Sequence, residues 1–123
     1  MKRILIIDDA ATVRMYHRHI LASAGYHVEE AMNGVEALEK ALLAPFDLYL
    51  VDINMPKLDG YGFLRQLRSE PIPQAPAIVV STEAAPGDQT AAWRAGANSY
   101  FIKPVKPAPL LAQVRMLLGE VCA

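Results

Sequence analysis

The chain of 123 residues has a net charge of −1, with 53% hydrophobic and 20% charged residues. This length fits one domain with a buried core, and the charge argues against a nucleic-acid binder, which needs a basic field. No apolar stretch approaches the roughly 20 residues of a membrane span, and the opening MKRILII is too short for a signal peptide. The single cysteine, Cys122, excludes an internal disulfide framework and fits a reducing cytosol.

Five short apolar segments alternate with amphipathic segments along the chain. The apolar segments are continuous rather than alternating, which is typical of parallel strands covered by helices on both faces. They lie at Ile4–Ile7, Phe46–Val51, Ala77–Val80 and Tyr100–Ile102, with a weaker one around Tyr26–Glu30. This (βα)₅ alternation predicts an α/β fold with a doubly wound, five-stranded parallel sheet, because crossover connections are right-handed.

The amphipathic segments predict the helices. Apolar residues at helical spacing form four stripes: Val13, Tyr16, Ile20 and Ala24; Val35, Leu38 and Leu42; Phe63, Leu64 and Leu67; and Leu110, Leu111, Val114, Leu117, Leu118 and Val121. The alanine-rich segment Gly87–Ala95, whose large side chain is Trp93, predicts a further helix after the fourth strand. Asn33 and Glu36 have the spacing of a capping box, and Gly25 and Gly96 stand where helices should end.

Polar side chains stand where four of the apolar segments end. Asp8 and Asp9 follow the first segment, Asp52 closes the third, Ser81 the fourth and Lys103 the fifth. The carboxyl ends of parallel strands meet at one edge of the sheet, where open α/β folds bind their ligands. The sequence therefore predicts a site that contains three carboxylates, one hydroxyl and one ammonium.

These groups suit a divalent cation and a phosphoryl group. Adjacent carboxylates at a buried strand end repel each other unless a cation lies between them, and oxygen ligands suit magnesium. The alternative for Asp8 and Asp9 is a solvated acidic cap on the first helix. Asp52 is the candidate nucleophile, since a carboxylate can attack phosphorus to form an acyl phosphate. Lys103 and Ser81 would stabilise the phosphoryl oxygens, or else are an edge lysine and a strand-end cap.

The segments that hold these residues resemble the response-regulator receiver domains of two-component signalling. The matching segments are IIDDAATVR, DLYLVDINMPKLDGYGFL, PAIVVSTEA, AGANSYFIKPV and the last amphipathic helix. In this order they are especially similar to single-domain chemotaxis regulators. The resemblance implies a flavodoxin-like receiver fold with strand order 2-1-3-4-5, and a single receiver domain over residues 1–123 without an output domain.

The resemblance also implies roles for residues of the site. Asp52 would accept a phosphoryl group from a histidine kinase or a histidine phosphotransfer protein. Magnesium would be bound by the side chains of Asp9 and Asp52, by the backbone carbonyl of Asn54, and by Asp8 through water.

Further residues match positions that act after phosphorylation. Ser81 and Tyr100 match the switch pair of the family, and Asn54 and Glu83 match positions that tune the loss of the phosphoryl group to water. The fourth helix, fifth strand and fifth helix would then bind a downstream protein whose identity is unknown. The family resemblance and the need for a sharp turn after the fifth strand predict a cis Lys103–Pro104 peptide.

The expected function is a phosphorylation-dependent switch in chemotaxis or motility. It would be a cytoplasmic monomer or weak dimer that contacts neither nucleic acid nor the membrane interior, and it would catalyse only its own phosphorylation and dephosphorylation. A phosphorelay intermediate and a kinase-regulating adaptor are alternatives within the family.

Two alternatives lie outside the family. A phosphatase of the haloacid dehalogenase type needs D-x-D after the first strand, whereas this chain has DDA. A flavodoxin-like cofactor binder needs a phosphate cradle there, and DDAAT would repel phosphate unless a metal intervened.

Overall fold

One five-stranded parallel sheet with helices on both faces makes up the computed structural model, which describes residues 1–82 and 85–120. The elements in chain order are β1 (Arg3–Ile7), α1 (Ala11–Ser23), β2 (His27–Ala31), α2 (Gly34–Leu43), β3 (Leu48–Asp52), α3 (Gly60–Ser69), β4 (Ala77–Ser81), α4 (Pro86–Ala95), β5 (Ser99–Ile102) and α5 (Pro107–Leu117). The strand order is β2-β1-β3-β4-β5. The predicted fold and strand order are confirmed.

Successive residues of each central strand point to opposite faces of the sheet. Ile4 and Ile6 of β1 belong to the core on the face that α1 and α5 cover, whereas Leu5 and Ile7 belong to the core on the face that α2, α3 and α4 cover. Because both faces are covered, β1, β3 and β4 are apolar almost throughout, as the continuous segments of the sequence predicted. None of the helices in the described part of the chain has the length and apolar content of a membrane span.

The predicted apolar stripe of α2 was wrong in detail. Ala37 and Ala41 are buried against the sheet, while Val35 and Leu42 are 41% and 46% exposed. The two alanines let the helix backbone approach the strands closely, and the larger side chains are thereby turned toward the solvent. Leu38 is half-buried and packs at the edge of the same core.

The stripe of α1 is also displaced from the prediction. His17, Ile20 and Leu21 are its buried residues, whereas Tyr16 is 43% exposed. The hydroxyl of Tyr16 donates a hydrogen bond to the carbonyl of Val105, 2.8 Å away, so it joins α1 to the segment before α5 from outside the core.

The other helices follow their predicted patterns. Phe63, Leu64 and Leu67 of α3 are fully buried, and so are Leu110 and Val114 of α5. Val121, predicted at the end of the last stripe, lies outside the described residues.

The predicted helix ends are confirmed, except that Glu36 accepts from the amide before the N-cap residue Asn33 and so does not complete the capping box. Asn33 Oδ1 accepts a hydrogen bond from the Glu36 amide at 2.8 Å, and Glu36 Oε1 accepts one from the Met32 amide at 3.2 Å. Gly25 and Gly96 have φ angles of 97° and 116°, in the region that favours glycine.

The loop between β3 and α3 is held closely against the end of β3. The amide of Gly60 donates a hydrogen bond to the carbonyl of Ile53 at 3.0 Å. The amide of Gly34 donates one to the carbonyl of Leu58, also at 3.0 Å. A Cβ atom at position 60 would lie 2.4 Å from the backbone oxygen of Asp52. Only glycine permits this approach, and the end of β3 is therefore fixed from behind.

We predict that Gly60→Ala destabilises the domain by about 1–3 kcal/mol, because the added methyl group overlaps backbone atoms that cannot move independently. Gly87→Ala is the matched control, since a Cβ at that position meets no atom within 4 Å. The control should be neutral or stabilising by up to about 1 kcal/mol, because alanine favours the helix. Urea unfolding measures both values, and equal stability of the two variants would contradict the prediction.

Candidate functional site

The strand ends bring the predicted side chains to one edge of the sheet. Ile7 of β1 is in register with Val51, so Asp8 and Asp52 are the next residues of two neighbouring strands. Asp52 is in register with Val80 of β4, and Ser81 is the next residue of β4. Asp8, Asp52 and Ser81 are 3%, 7% and 0% exposed, whereas Asp9 is exposed.

Lys103 joins the two buried carboxylates. Its Nζ lies 2.8 Å from Asp8 Oδ2 and 3.0 Å from Asp52 Oδ1. The backbone amide of Lys103 donates to the carbonyl of Ser81 at 2.8 Å. This bond continues the pairing of β4 with β5 and fixes the position of the Lys103 backbone, from which the side chain extends to the carboxylates. The predicted cis peptide between Lys103 and Pro104 is confirmed.

The loop after β1 is held by its own hydrogen bonds. The amide of Asp8 donates to the carbonyl of Ala31 at 3.1 Å, and Asp8 Oδ1 accepts from the Ala10 amide at 2.9 Å. Arg14 Nη1 donates to the carbonyl of Asp8 at 2.7 Å. Asp8 is thus restrained through its amide, its carbonyl and its side chain.

The site has an excess of negative charge. Carboxylate oxygens of Asp8, Asp9 and Asp52 all lie within 4.8 Å of one another, and Lys103 supplies one positive charge. Burial raises the pKa of the Asp52 carboxyl, Asp8 raises it further, and the hydrogen bond from Lys103 offsets these effects only in part. Burial alone would lower the pKa of the Lys103 ammonium, but hydrogen bonds and attraction to the two carboxylates prevail and raise it.

The donor set fits a divalent cation. Three carboxylates and one ammonium leave two negative charges when all four groups are ionised, which a divalent ion would balance. The ligand atoms are hard oxygens, as magnesium requires. Asn54, whose carbonyl was predicted as a ligand, lies two residues beyond Asp52 and is exposed.

The predicted switch residues lie on the β4–β5 side of the site. Tyr100 is in register with Val79, and its partly buried ring packs against the core that α4 covers. On the outer surface nearby, Trp93 of α4 and Ile102 of β5 are 55% and 49% exposed. Glu83, which was predicted to tune the loss of the phosphoryl group, lies outside the described residues.

His17 is a residue beside the site that the sequence did not identify. It is 3% exposed, and with Tyr16, Lys103 and Pro104 it lines a cavity of about 180 Å³ beside α1. The pKa of its imidazole is lowered. Burial is the main cause, the Asp8 carboxylate opposes it, and the charge of Lys103 adds to it. The signal was available, because His17, Ile20 and Leu21 have i, i+3, i+4 spacing.

Comparison with known proteins identifies the family. The response regulator receiver domain model matches residues 4–115, and the chain therefore belongs to this family of two-component signalling domains. Phosphorylation and magnesium binding are typical of the family. Within it, the chain resembles the chemotaxis type, including proteins of similar length.

Among curated proteins, the chain is 38% identical to a gliding motility regulatory protein of Myxococcus xanthus over 90% of its own length. It is 34% identical to the transcriptional regulatory protein ResD of Bacillus subtilis over 94%, and 33% identical to the chemotaxis protein CheY1 of Helicobacter pylori over 95%. The chain spans 14% of the first relative, 48% of the second and 97% of the third.

Solved structures agree in fold. The chemotaxis protein CheY4 of Vibrio cholerae is 34% identical, with a TM-score of 0.89 and coverage of 95% of this chain and 98% of that one. The receiver domain of a sensor histidine kinase from Pseudomonas aeruginosa, which has a magnesium ion coordinated in its active-site cleft, is 30% identical. Its TM-score is 0.89, with coverage of 97% and 98%.

We predict that Asp52→Asn stabilises the domain in the absence of divalent cations. The raised pKa of Asp52 means that the folded state disfavours its ionised form, so the wild type loses stability as the pH rises from the unfolded pKa through the folded one. Asparagine does not ionise, and the advantage of the variant should therefore be small near pH 4 and larger at pH 7. Thermal melts in chelator measure this difference. A variant less stable than the wild type at pH 7 would show that attraction to Lys103 prevails.

Proposed function

We propose that this protein is a signalling switch in which Asp52 accepts a phosphoryl group from a histidine kinase or a histidine phosphotransfer protein. The observation that carries the proposal is the convergence of Lys103 on Asp52 and Asp8 beside a third carboxylate. Asp52 Oδ attacks phosphorus, the bond from phosphorus to the donor's histidine nitrogen breaks, and an acyl phosphate forms. Lys103 then stabilises the phosphoryl oxygens, together with the hydroxyl of Ser81.

Magnesium is the proposed cofactor, in keeping with the family and with the ion in the P. aeruginosa receiver. The side chains of Asp9 and Asp52 and the backbone carbonyl of Asn54 would bind it, with Asp8 acting through water. When bound, the cation neutralises charge on the phosphoryl oxygens as the group is transferred. Asn54 and Glu83 are proposed to tune the subsequent loss of the phosphoryl group.

The surface of α4, β5 and α5 is the proposed output surface. Ser81 lies at the end of β4 and Tyr100 on the adjacent strand, so movement of the hydroxyl toward the phosphoryl group would free space for the ring. Trp93 and Ile102 give this surface exposed apolar area for a protein partner. Phosphorylation shifts an existing equilibrium only as far as the phosphoryl group binds one state more strongly than the other.

Chemotaxis or motility is the favoured pathway, for a cytoplasmic protein that is monomeric or weakly dimeric. CheY1 and CheY4 support this choice, because the chain covers 97% and 98% of their lengths. The M. xanthus relative, a gliding motility regulator, supports it further. A single receiver domain over residues 1–123 is part of the same proposal, and phosphorelay or adaptor functions are its alternatives.

We predict that Asp52→Asn abolishes phosphate incorporation from a small-molecule donor, because the variant keeps the shape of the side chain without the nucleophile. The wild type should incorporate phosphate only when magnesium is present. Asp59→Asn is the control, since Asp59 Oδ1 caps α3 by accepting from the Gly62 amide at 2.7 Å, and asparagine caps equally well. Mass spectrometry measures the product. Full labelling of Asp52→Asn would refute Asp52 as the acceptor.

We predict that a phosphoryl analogue with magnesium shifts backbone amide resonances of α4 and β5 as well as those of the site. Ser81→Ala should retain the shifts at Asp8 and Asp9 but lose most of those in α4, because the hydroxyl that couples the two regions is missing. Shifts confined to the three aspartates in the wild type would refute the proposed output surface.

A further inference from the structure

We propose that Arg14 is a positioning residue for the metal site, where it holds the turn that presents Asp9 to the cation. This inference rests on the proposed function, because it concerns the same carboxylates. Arg14 lies on the second turn of α1, and 15% of its side chain is exposed. It reaches back to the turn rather than outward to the solvent.

The guanidinium of Arg14 connects two strand ends. Its Nη1 donates to the carbonyl of Asp8 at 2.7 Å, and its Nε donates to Glu30 Oε1 at 3.0 Å. Asp8 follows β1, and Glu30 belongs to β2, the neighbouring strand. Because both donors belong to one rigid planar group, the bond from Nε to Glu30 also fixes the direction in which Nη1 meets the Asp8 carbonyl, which a flexible ammonium could not do.

The contact with the Asp8 carbonyl determines how Asp9 is presented. The Asp8 carbonyl and the Asp9 amide belong to one planar peptide, so an anchored oxygen fixes the direction in which the Asp9 backbone begins. Beyond Asp9, the Ala10 amide donates to Asp8 Oδ1 at 2.9 Å. Asp9 is thus placed between two restrained peptides, although its own carboxylate is exposed.

Glu30 holds Arg14 and balances its charge. Glu30 Oε2 also lies 3.3 Å from Arg18 Nη1, and the Glu30 carbonyl accepts from Lys40 Nζ at 2.5 Å. An unpaired guanidinium this close to the site would repel a cation. Paired with Glu30, Arg14 can restrain the acidic turn without that opposing charge.

The test compares Arg14→Ala with Arg18→Ala in the full chain. Arg18 pairs with the same Glu30 and donates to the Val28 carbonyl at 3.2 Å, but no hydrogen bond joins it to Asp8 among the described residues. Loss of a group that orients a metal ligand typically lowers metal affinity 10- to 100-fold. We expect Arg14→Ala to raise the magnesium dissociation constant about tenfold by calorimetry, at the lower end of that range. Arg18→Ala should stay near the wild-type value.

Two readouts separate positioning from a general loss of stability. The phosphorylation rate of Arg14→Ala at saturating magnesium should return to that of the wild type, because the nucleophile is intact. Without metal, amide hydrogen exchange at Ala10 should accelerate in Arg14→Ala and not in Arg18→Ala. Arg14→Lys should resemble Arg14→Ala, since an ammonium lacks the two-donor geometry.

Equal effects of the two alanine variants, or wild-type affinity in Arg14→Lys, would overturn the proposal. If Arg14→Ala does not fold, Glu30→Gln supplies the test. It leaves Arg14 uncompensated and should weaken magnesium binding, and unchanged binding would overturn the proposal. Asp9→Ala distinguishes the underlying function, because an unchanged magnesium isotherm in that variant would refute the metal site itself.

Discussion

The contact of the Lys103 ammonium with Asp8 and Asp52 is the interaction on which the site depends. It brings one positive charge to two buried carboxylates that would otherwise repel each other at 3% and 7% exposure. The contact requires β1, β3 and β5 to end at the same edge of the sheet, and their parallel direction provides this. One ammonium cannot balance three carboxylates, however. The fold therefore sustains an excess of negative charge, which makes the site receptive to a divalent cation.

The two-faced core is what sustains this unfavourable cluster. Side chains from β1, β3 and β4 pack on both sides of the sheet, so the strand ends cannot separate to relieve the repulsion without exposing that core. The loop after β3 adds a second restraint, because Gly60 packs against the backbone of Asp52. Apolar packing thus holds charges close together.

The sequence predicts the strands and their ends well because polar residues interrupt continuous apolar segments there. It predicts the buried faces of α1 and α2 poorly, since hydrophobic periodicity gives most weight to large side chains. In α2 the size of the side chain decides instead, and Ala37 and Ala41 face the sheet while Leu42 is displaced. The Arg14–Glu30 pair escapes prediction for another reason. Its partners are 16 residues apart in different elements, and a helix charge with a distant partner looks the same in sequence as a solvated one.

The same packing explains why one side of the site is suited to move. The buried residues of α3 include Phe63, Leu64 and Leu67, whereas on α4 the described side chains that are buried belong to Ala92 and Ala95. Two alanines bury little apolar surface, and apolar burial stabilises a helix in proportion to its area. Elements with few buried contacts shift at the lowest free-energy cost. The proposed signal at Asp52 would therefore spread toward β4, α4 and β5, while the β1–β2 side, held by Arg14 and Glu30, keeps Asp8 and Asp9 in place.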